Sequence, residues 1–197
     1  IMSNIQTYIY SKEDGDHIMK YARDTLEIYA KEGQKMDVGS VDDLLNMRGG
    51  LFLRIKSTGA FGRVRGNAGS FGNQRLASAI INSTVYAASN RSIGSEIARN
   101  ELSNVVFEIA PIERIRISDN PVEDINIGVD VPIINSGGEG WIYPTDPEEY
   151  GWSVEEYLSR TCEKRDLDPS HWEGKTVIIA TTRPIQEAEP GGYTNIR

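Results

Sequence analysis

The sequence predicts an α+β fold whose sheet is mainly antiparallel and is flanked by helices. Short segments with alternating apolar residues are joined by turn residues, which is typical of hairpins. Helical periodicity is confined to a few segments that do not alternate regularly with strands. A further apolar run, residues 176–180, comes late in the chain and reads as a final strand. This order favours α+β over a parallel sheet built from βαβ units.

Length and composition fit one domain over residues 1–197. The chain is 39% hydrophobic and 25% charged, as in an ordinary globular protein. No run approaches the roughly 20 apolar residues that a membrane span needs, so no membrane partner is expected. The single cysteine, Cys162, cannot form an internal disulfide and suits a reducing compartment. We therefore expect a cytoplasmic protein.

The first helix is predicted between Ser11 and Gly33. Ser11 can cap its amino end, where Glu13 and Asp14 also suit the positive end of the helix dipole. Gly33 is a suitable terminator, because glycine readily adopts the left-handed conformation found after helices.

A hairpin is predicted next. Residues 51–56 alternate in the manner of a strand with one buried face, and Thr58-Gly59 supplies a two-residue turn before residues 61–65 return. This register places Arg54 opposite Arg63 and gives the hairpin an apolar face and a basic face. Two facing arginines repel each other unless water or an anion lies between them. For the hairpin taken alone, an ordinary solvated sheet surface is the favoured explanation.

An alanine-rich helix is predicted to open at Gly72-Asn73 and to end near Ser89. One face carries small and apolar side chains and is suited to close packing on a sheet. Its residues are Leu76, Ala79, Ile80, Ser83, Thr84 and Ala87.

The second half of the chain supplies further strands. Residues 105–109 form a strand that Pro111 is expected to stop, and residues 125–134 read as a strand interrupted by Pro132. A last helix begins at a capping box of Ser153 and Glu156. The tail, residues 184–197, contains proline and glycine and is predicted to be loosely held.

Charge is distributed unevenly along the chain. The net charge is −8, yet no acidic residue occurs between Leu44 and Ser95. Seven cations occupy this interval: Arg48, Arg54, Lys56, Arg63, Arg65, Arg75 and Arg91. A basic island in an acidic protein can concentrate its field on a small anion while the remainder repels polyanions.

Familiar catalytic and cofactor motifs are absent from the sequence. It contains no phosphate-binding G-x-x-x-x-G-K-[ST], no dinucleotide G-x-G-x-x-G and no G-x-S-x-G nucleophile elbow. His17 and His171 lack metal-ligand spacing, so no metal is predicted. No residue is assigned as catalytic, and cofactor and oligomeric state are left open.

Several motifs together resemble the AMMECR domain family. The resemblance is carried by Gly50-Leu51-Phe52-Leu53, by Arg65-Gly66-Asn67-Ala68-Gly69, by Gly140-Trp141-Ile142-Tyr143-Pro144 and by Glu155-Glu156-Tyr157-Leu158. It extends from about Ser11 to Ala180. It implies an α+β fold with an antiparallel sheet, flanking helices and a smaller hairpin-containing lobe, for which residues 112–148 are the candidate. It also implies a cytoplasmic protein without assigning a reaction.

The chain departs from the family pattern at the motif itself. The family's Leu-Arg-Gly-Cys-Ile-Gly has Val64 at its leucine, Asn67 at its cysteine and Ala68 at its isoleucine. An amide can orient a ligand by hydrogen bonds, but it cannot replace a thiol as a nucleophile.

The main functional hypothesis is a site for a small anionic or nucleotide-like ligand at the glycine-rich hairpin. Arginines would supply charge and paired donors, glycines would give access to the backbone, and an asparagine would orient the ligand. The candidate residues are Arg54, Arg63, Arg65, Gly66, Asn67, Gly69 and Arg91.

Two other functions stay open at this stage. The basic face could dock an acidic patch of a partner protein or of a second copy. Phe52 and Phe61 among the basic residues could stack single-stranded bases, although the acidity of the chain argues against nucleic acid. A deep cleft beside Asn67 would favour a ligand site, and a flat convex face would favour docking.

Overall fold

The fold was examined in a computed structural model, which describes residues 7–59, 62–89, 95–137, 139–192 and 194–196. The α-helices are α1 (Lys12–Glu32), α2 (Asp43–Asn46), α3 (Leu76–Ser89), α4 (Pro121–Asp124), α5 (Asp146–Tyr150) and α6 (Val154–Glu163). A 3₁₀ helix spans Arg99–Asn104. The strands are β1 (Arg48–Ser57), β2 (Val64–Arg75), β3 (Val105–Ser118), β4 (Asp130–Asn135), β5 (Glu139–Gly140), β6 (Val177–Thr182), β7 (Ile185–Glu187) and β8 (Thr194–Ile196).

One curled antiparallel sheet organises the described strands and confirms the predicted α+β class. Its main path runs β2-β1-β3-β6-β4-β5, and β7 joins β3 and β8 beside this path. The long strand β3 connects the two halves. Its first part pairs with β1 and its second part with β6. Strand β2 ends the path and therefore presents an outer edge.

Opposite faces of β1 belong to different hydrophobic clusters. Leu51, Leu53 and Ile55 pack with α1 and α3 in the largest cluster. Phe52 points to the other face, where it packs with residues of β3, β4 and β6. A third cluster joins α6 to β6. The alternation in the sequence therefore separates two cores, because successive side chains of a strand point to opposite faces.

Helix boundaries agree with the local signals. Ser11 caps α1 in a capping box with Asp14, and Gly33 ends the helix in the left-handed conformation with φ of 66°. The Ser153 hydroxyl accepts a hydrogen bond from the Glu156 amide at the start of α6. All six residues predicted for the inner face of α3 are buried. Helix α3 begins at Leu76, however, because Gly72-Asn73 belongs to the end of β2.

The hairpin exists, but its predicted register is wrong. Arg54 pairs with Asn67, four residues beyond the predicted partner Arg63. The Ser57 amide donates to the Arg63 carbonyl oxygen, so the connection is longer than two residues. Residues 60–61 lie outside the described part. The shift places small Ala68 opposite Leu53, within the core cluster that includes α3.

Neither proline stops its strand. Pro111 lies within β3 opposite Leu51, and Pro132 lies within β4 opposite Ile179. Pairing continues beyond Pro111 because β3 changes partner there from β1 to β6. Residues 125–129 precede β4 and are not strand, contrary to the prediction.

The sequence predicted a smaller lobe and a C-terminal tail as separate parts of the domain. Residues 112–148 join the same sheet through β3 and β4, and a separate lobe there stays a prediction. Within the predicted tail, Ile185 and Glu187 are buried, and Glu187 forms an ion pair with Arg23 of α1. Ile185 and Glu187 are therefore packed into the domain, and a loose hold on the tail as a whole stays a prediction.

Candidate functional site

Arg54 lies in a compensated, buried environment. Its Nη2 is 3.0 Å from Glu108 Oε2, and its Nη1 is 2.7 Å from Asp146 Oδ1. The guanidinium also stacks over the Tyr143 ring at 4.2 Å. Burial disfavours its charge, but Glu108 and then Asp146 outweigh burial and raise the pKa of Arg54. The carboxylates that neutralise Arg54 come from outside the acid-free interval.

Arg65 has a separate set of partners. Its guanidinium pairs with Glu101 and donates to the Ser95 carbonyl oxygen at 2.9 Å. Arg63 is exposed beside the turn, and Arg91 lies outside the described residues. Arg54 and Arg65 are thus held by different acidic residues and do not converge on a common point.

The two glycines of the motif allow close packing of protein groups. A Cβ added at Gly66 would lie 1.8 Å from the Ala87 carbonyl oxygen, so glycine is needed for α3 to approach β2. A Cβ at Gly69 would lie 3.0 Å from Trp141 Nε1. Both glycines permit close approach, as predicted, but the groups that approach are a helix and an indole.

A cleft of about 500 Å³ opens along the outer edge of β2. Strand β2 forms one wall, helix α3 a second, and the segments at β5 and after α6 a third. The lining residues are Asn67, Ala68, Gly69, Ser70, Gln74, Asn82, Ser83, Tyr86, Glu139, Gly140, Trp141, Lys164 and Arg165. Of the predicted site residues, Asn67 and Gly69 line this cleft, and Arg54 lies next to Asn67 across the hairpin.

A short chain of polar side chains runs along the cleft wall. Asn82 Nδ2 donates to Gln74 Oε1 at 2.9 Å, and Gln74 Nε2 donates to Ser70 Oγ at 3.0 Å. These bonds fix the orientation of the Gln74 amide. Since an amide both donates and accepts, the wall offers directional hydrogen bonding to a polar ligand.

Arg165 brings a guanidinium into the cleft. Its stem passes against Gly140, where an added Cβ would lie 2.2 Å from Arg165 Cγ. Nη2 donates to the Ser136 carbonyl oxygen at 2.9 Å, whereas the buried Nε has no hydrogen-bond partner. Among the described residues, no carboxylate forms an ion pair with Arg165. Its positive charge is therefore uncompensated by a neighbouring anion.

Lys164 is the second cation of the cleft. Its Nζ lies 5.5 Å from the centre of the Trp141 ring, and no described carboxylate forms an ion pair with it. Although Lys164 is exposed overall, protein atoms desolvate its ammonium and lower its pKa. Asp146 opposes this effect, and nearby Arg54 reinforces it. The same desolvation raises the pKa of Glu139 across the cleft.

Other groups fit catalysis or metal binding poorly. Cys162 is buried in α6, and burial raises the pKa of its thiol, which disfavours the nucleophilic thiolate. Within the described residues, no group of three His, Cys, Asp or Glu side chains could hold a metal ion. In that same part of the chain, no helix is long and apolar enough to cross a membrane.

Lys164, Arg165, Trp141 and Tyr86 were not predicted as site residues. Two consecutive cations after an amphipathic helix look like ordinary helix-terminal charges. The local sequence gives no sign that Lys164 and Arg165 face β2, because 97 and 98 residues separate them from Asn67. The one sequence feature that indicated this part of the cleft was the Gly140-Trp141 pair of the family resemblance.

Together, the curled antiparallel sheet, its helical layer and the edge cleft define an α+β domain of one recognisable class. A sequence model of the AMMECR1 family matches residues 19–182. The chain therefore belongs to the AMMECR1 family, as its motifs predicted.

Relatives from archaea match nearly the whole chain. Protein VNG_2543C of Halobacterium salinarum is 38% identical over 187 residues, covering 90% of this chain and 89% of its own. Protein MJ0810 of Methanocaldococcus jannaschii is 31% identical over 189 residues, covering 91% and 93%. The crystal structure of the uncharacterised protein PH0010 from Pyrococcus horikoshii superposes with a TM-score of 0.85 at 25% identity. That match covers 95% of this chain and 98% of the other.

Proposed function

We propose that this protein binds a small anionic ligand that carries a planar aromatic group, such as a nucleotide, in the cleft beside β2. The observation that carries the proposal is the pair of cations, Lys164 and Arg165, which lack a carboxylate partner among the described residues. Arg54 and Arg65, by contrast, already have acidic partners.

The size and walls of the cleft suit such a ligand. A volume of about 500 Å³ lies within the usual range of small-molecule sites, roughly 300–1,000 Å³. Trp141 and Tyr86 offer aromatic surface, and Tyr86 is 60% exposed. The oriented amide of Gln74 and the side chain of Asn67 offer hydrogen bonds to ring nitrogens or hydroxyls.

The hairpin residues enter this proposal in altered roles. Asn67 and Gly69 contribute directly to the cleft wall, and Gly66 lets α3 close the opposite side. Arg54 does not line the cleft, and its charge is held by Glu108 and Asp146. Arg63 would add long-range positive potential only, and Arg91 lies outside the described residues.

The alternatives have less support. A docking face made of Arg54 and Arg63 together needs both side chains to be accessible; Arg63 is exposed, but Arg54 is only 5% exposed and is already paired with carboxylates. Base stacking needs accessible rings, but Phe52 is fully buried against Phe71 and Trp141. A cleft beside Asn67 is the arrangement that favours a small ligand.

A thermal-shift series with nucleoside monophosphates, sugar phosphates and aromatic carboxylates tests the proposal. Binding to the native state raises Tm, and we expect aromatic anions at up to about 10 mM to raise it most. Lys164→Ala and Arg165→Ala should each reduce the shift. Lys20→Ala removes the same charge from an exposed site on α1 and should leave the shift unchanged.

The result that would overturn the proposal is equally direct. No aromatic anion would shift Tm in the wild type, or the shift would be the same in both cleft variants as in Lys20→Ala.

A further inference from the structure

Lys164 differs from the other lysines of the chain in its surroundings. Four of the seven lysines, Lys12, Lys20, Lys31 and Lys56, form ion pairs with carboxylates. Lys175 lies 3.0 Å from His171 Nδ1, and Lys35 lines a separate groove beside Asp37. Lys164 is the only amine that lines the cleft within the described residues.

The charged groups around Lys164 do little to stabilise its ammonium form. Asp146 is the carboxylate that favours the charge, but Arg54 already holds Asp146 at 2.7 Å. Arg54 itself opposes a second cation, and Arg165 adds another positive charge to the same wall. Glu139, the carboxylate of the facing segment, forms no ion pair with Lys164. The Trp141 ring and the carboxyl end of α6 favour the charge only modestly.

We infer that Lys164 is a nucleophile that forms an imine with an aldehyde or ketone group of an anionic ligand bound in the cleft. This inference rests on the proposed function and narrows its ligand class to carbonyl compounds. A desolvated lysine beside another cation is a recognised way to make a free amine available near neutral pH. Arg165, which is never deprotonated, would hold the ligand's anionic group.

The covalent step needs no other reactant. The lone pair of the neutral Nζ attacks the carbonyl carbon, and the carbonyl π electrons move to oxygen. After proton transfer from nitrogen to oxygen, the C–O bond breaks and the oxygen leaves as water with both amine protons. A C=N bond remains. Asn67 lies in the β2 wall of the same cleft and can donate a hydrogen bond to the carbonyl oxygen as charge develops there.

Reductive trapping with pyridoxal 5′-phosphate tests the inference, because this probe is an aromatic, anionic aldehyde. Borohydride reduces each imine to a stable secondary amine, and peptide mass mapping then gives the rate at every lysine. We expect Lys164 to be labelled several-fold faster than Lys35 at pH 7, because desolvation in the cleft favours its neutral, nucleophilic form. Inorganic phosphate and adenosine monophosphate should slow labelling at Lys164 only.

Two separate measurements on the wild type, labelling and adenosine monophosphate binding, distinguish this inference from the proposed function. Lys164→Arg cannot form the imine and should lose labelling at this position, whereas Lys20→Arg, outside the cleft, should leave labelling of Lys164 unchanged. Labelling of Lys164 no faster than Lys35 in the wild type would overturn the inference, even while monophosphate binding persisted. If the wild type did not bind adenosine monophosphate at all, that result would instead count against the proposed function.

Discussion

The hairpin and the cleft beside it hold their cations in opposite electrostatic settings. Arg54 and Arg65 of the hairpin are buried and paired with Glu108, Asp146 and Glu101. Lys164 and Arg165 of the cleft have no such pairing among the described residues. A buried cation with acidic partners is part of the folded framework, whereas an unpaired cation at a cleft is available to a ligand. Charge in the sequence therefore does not by itself indicate a binding site.

The largest expected difference between the two settings appears when one cation is removed from each. Arg54→Ala leaves partly buried Asp146 without its partner and leaves Glu108 with Lys56 alone, and we expect it to lower the free energy of unfolding by about 3 kcal/mol. Arg165→Ala removes an unpaired cation and should cost about 1 kcal/mol or less. Urea denaturation of both variants measures the difference. Equal losses would show that the two cations do not differ as described.

The two motif glycines test the same difference, because Gly66 packs against the backbone of α3 and Gly69 packs against a side chain of the cleft. Gly66→Ala places a methyl group against the backbone of α3, which cannot easily move, and should cost about 3 kcal/mol. Gly69→Ala meets the Trp141 side chain at 3.0 Å and should cost only about 1 kcal/mol, since the indole can shift. Urea denaturation midpoints, compared at a common dependence of the unfolding free energy on urea concentration, rank the two losses of stability. A more damaging Gly69→Ala would contradict it.

Accessibility of the cleft can be measured by restoring the family residue. Asn67→Cys should place a thiol in the cleft that reacts with iodoacetamide much faster than Cys162, whose buried thiol has a raised pKa. The wild type, which has only Cys162, provides the control. Equal alkylation rates at the two positions would mean that Asn67 does not face an open cleft.

The smallest effect concerns the pH dependence of stability. The pKa of Lys164 is lower in the folded protein than the ordinary lysine value of 10.5, so the unfolded state holds the proton more tightly. The resulting penalty is present below the folded pKa and is relieved as pH rises toward 10.5. Lys164→Met, which lacks the penalty, should gain on the wild type at pH 7 and lose that advantage near pH 10. Urea titrations at both pH values measure this trend, which a constant difference would contradict.

Local signals predicted the helices better than the sheet. The caps at Ser11, Gly33 and Ser153 were correct, because each satisfies backbone groups within four residues of itself. The hairpin register was wrong, because it depends on α3 packing over Gly66 and Ala68. Pro111 did not stop β3, because the change of partner strand at that point is a property of the whole sheet.

The candidate site also contains residues that local sequence could identify and residues that only the tertiary structure could identify. Asn67 and Gly69 could be identified from the motif, and both line the cleft. The compensation of Arg54 could not, because Glu108 and Asp146 lie 54 and 92 residues away in sequence. Lys164 and Arg165 reach Asn67 only after the sheet curls and α6 packs against it.

The sequence by itself determined the α+β class, the helix ends, the alternating faces of β1 and membership of the AMMECR1 family. Each of these depends on neighbours in the chain or on motif order. The tertiary structure alone decided which cations are neutralised and which face the cleft. The physical reason is that a charge is paired or left unpaired by groups that approach through space, and the order of residues does not specify that approach.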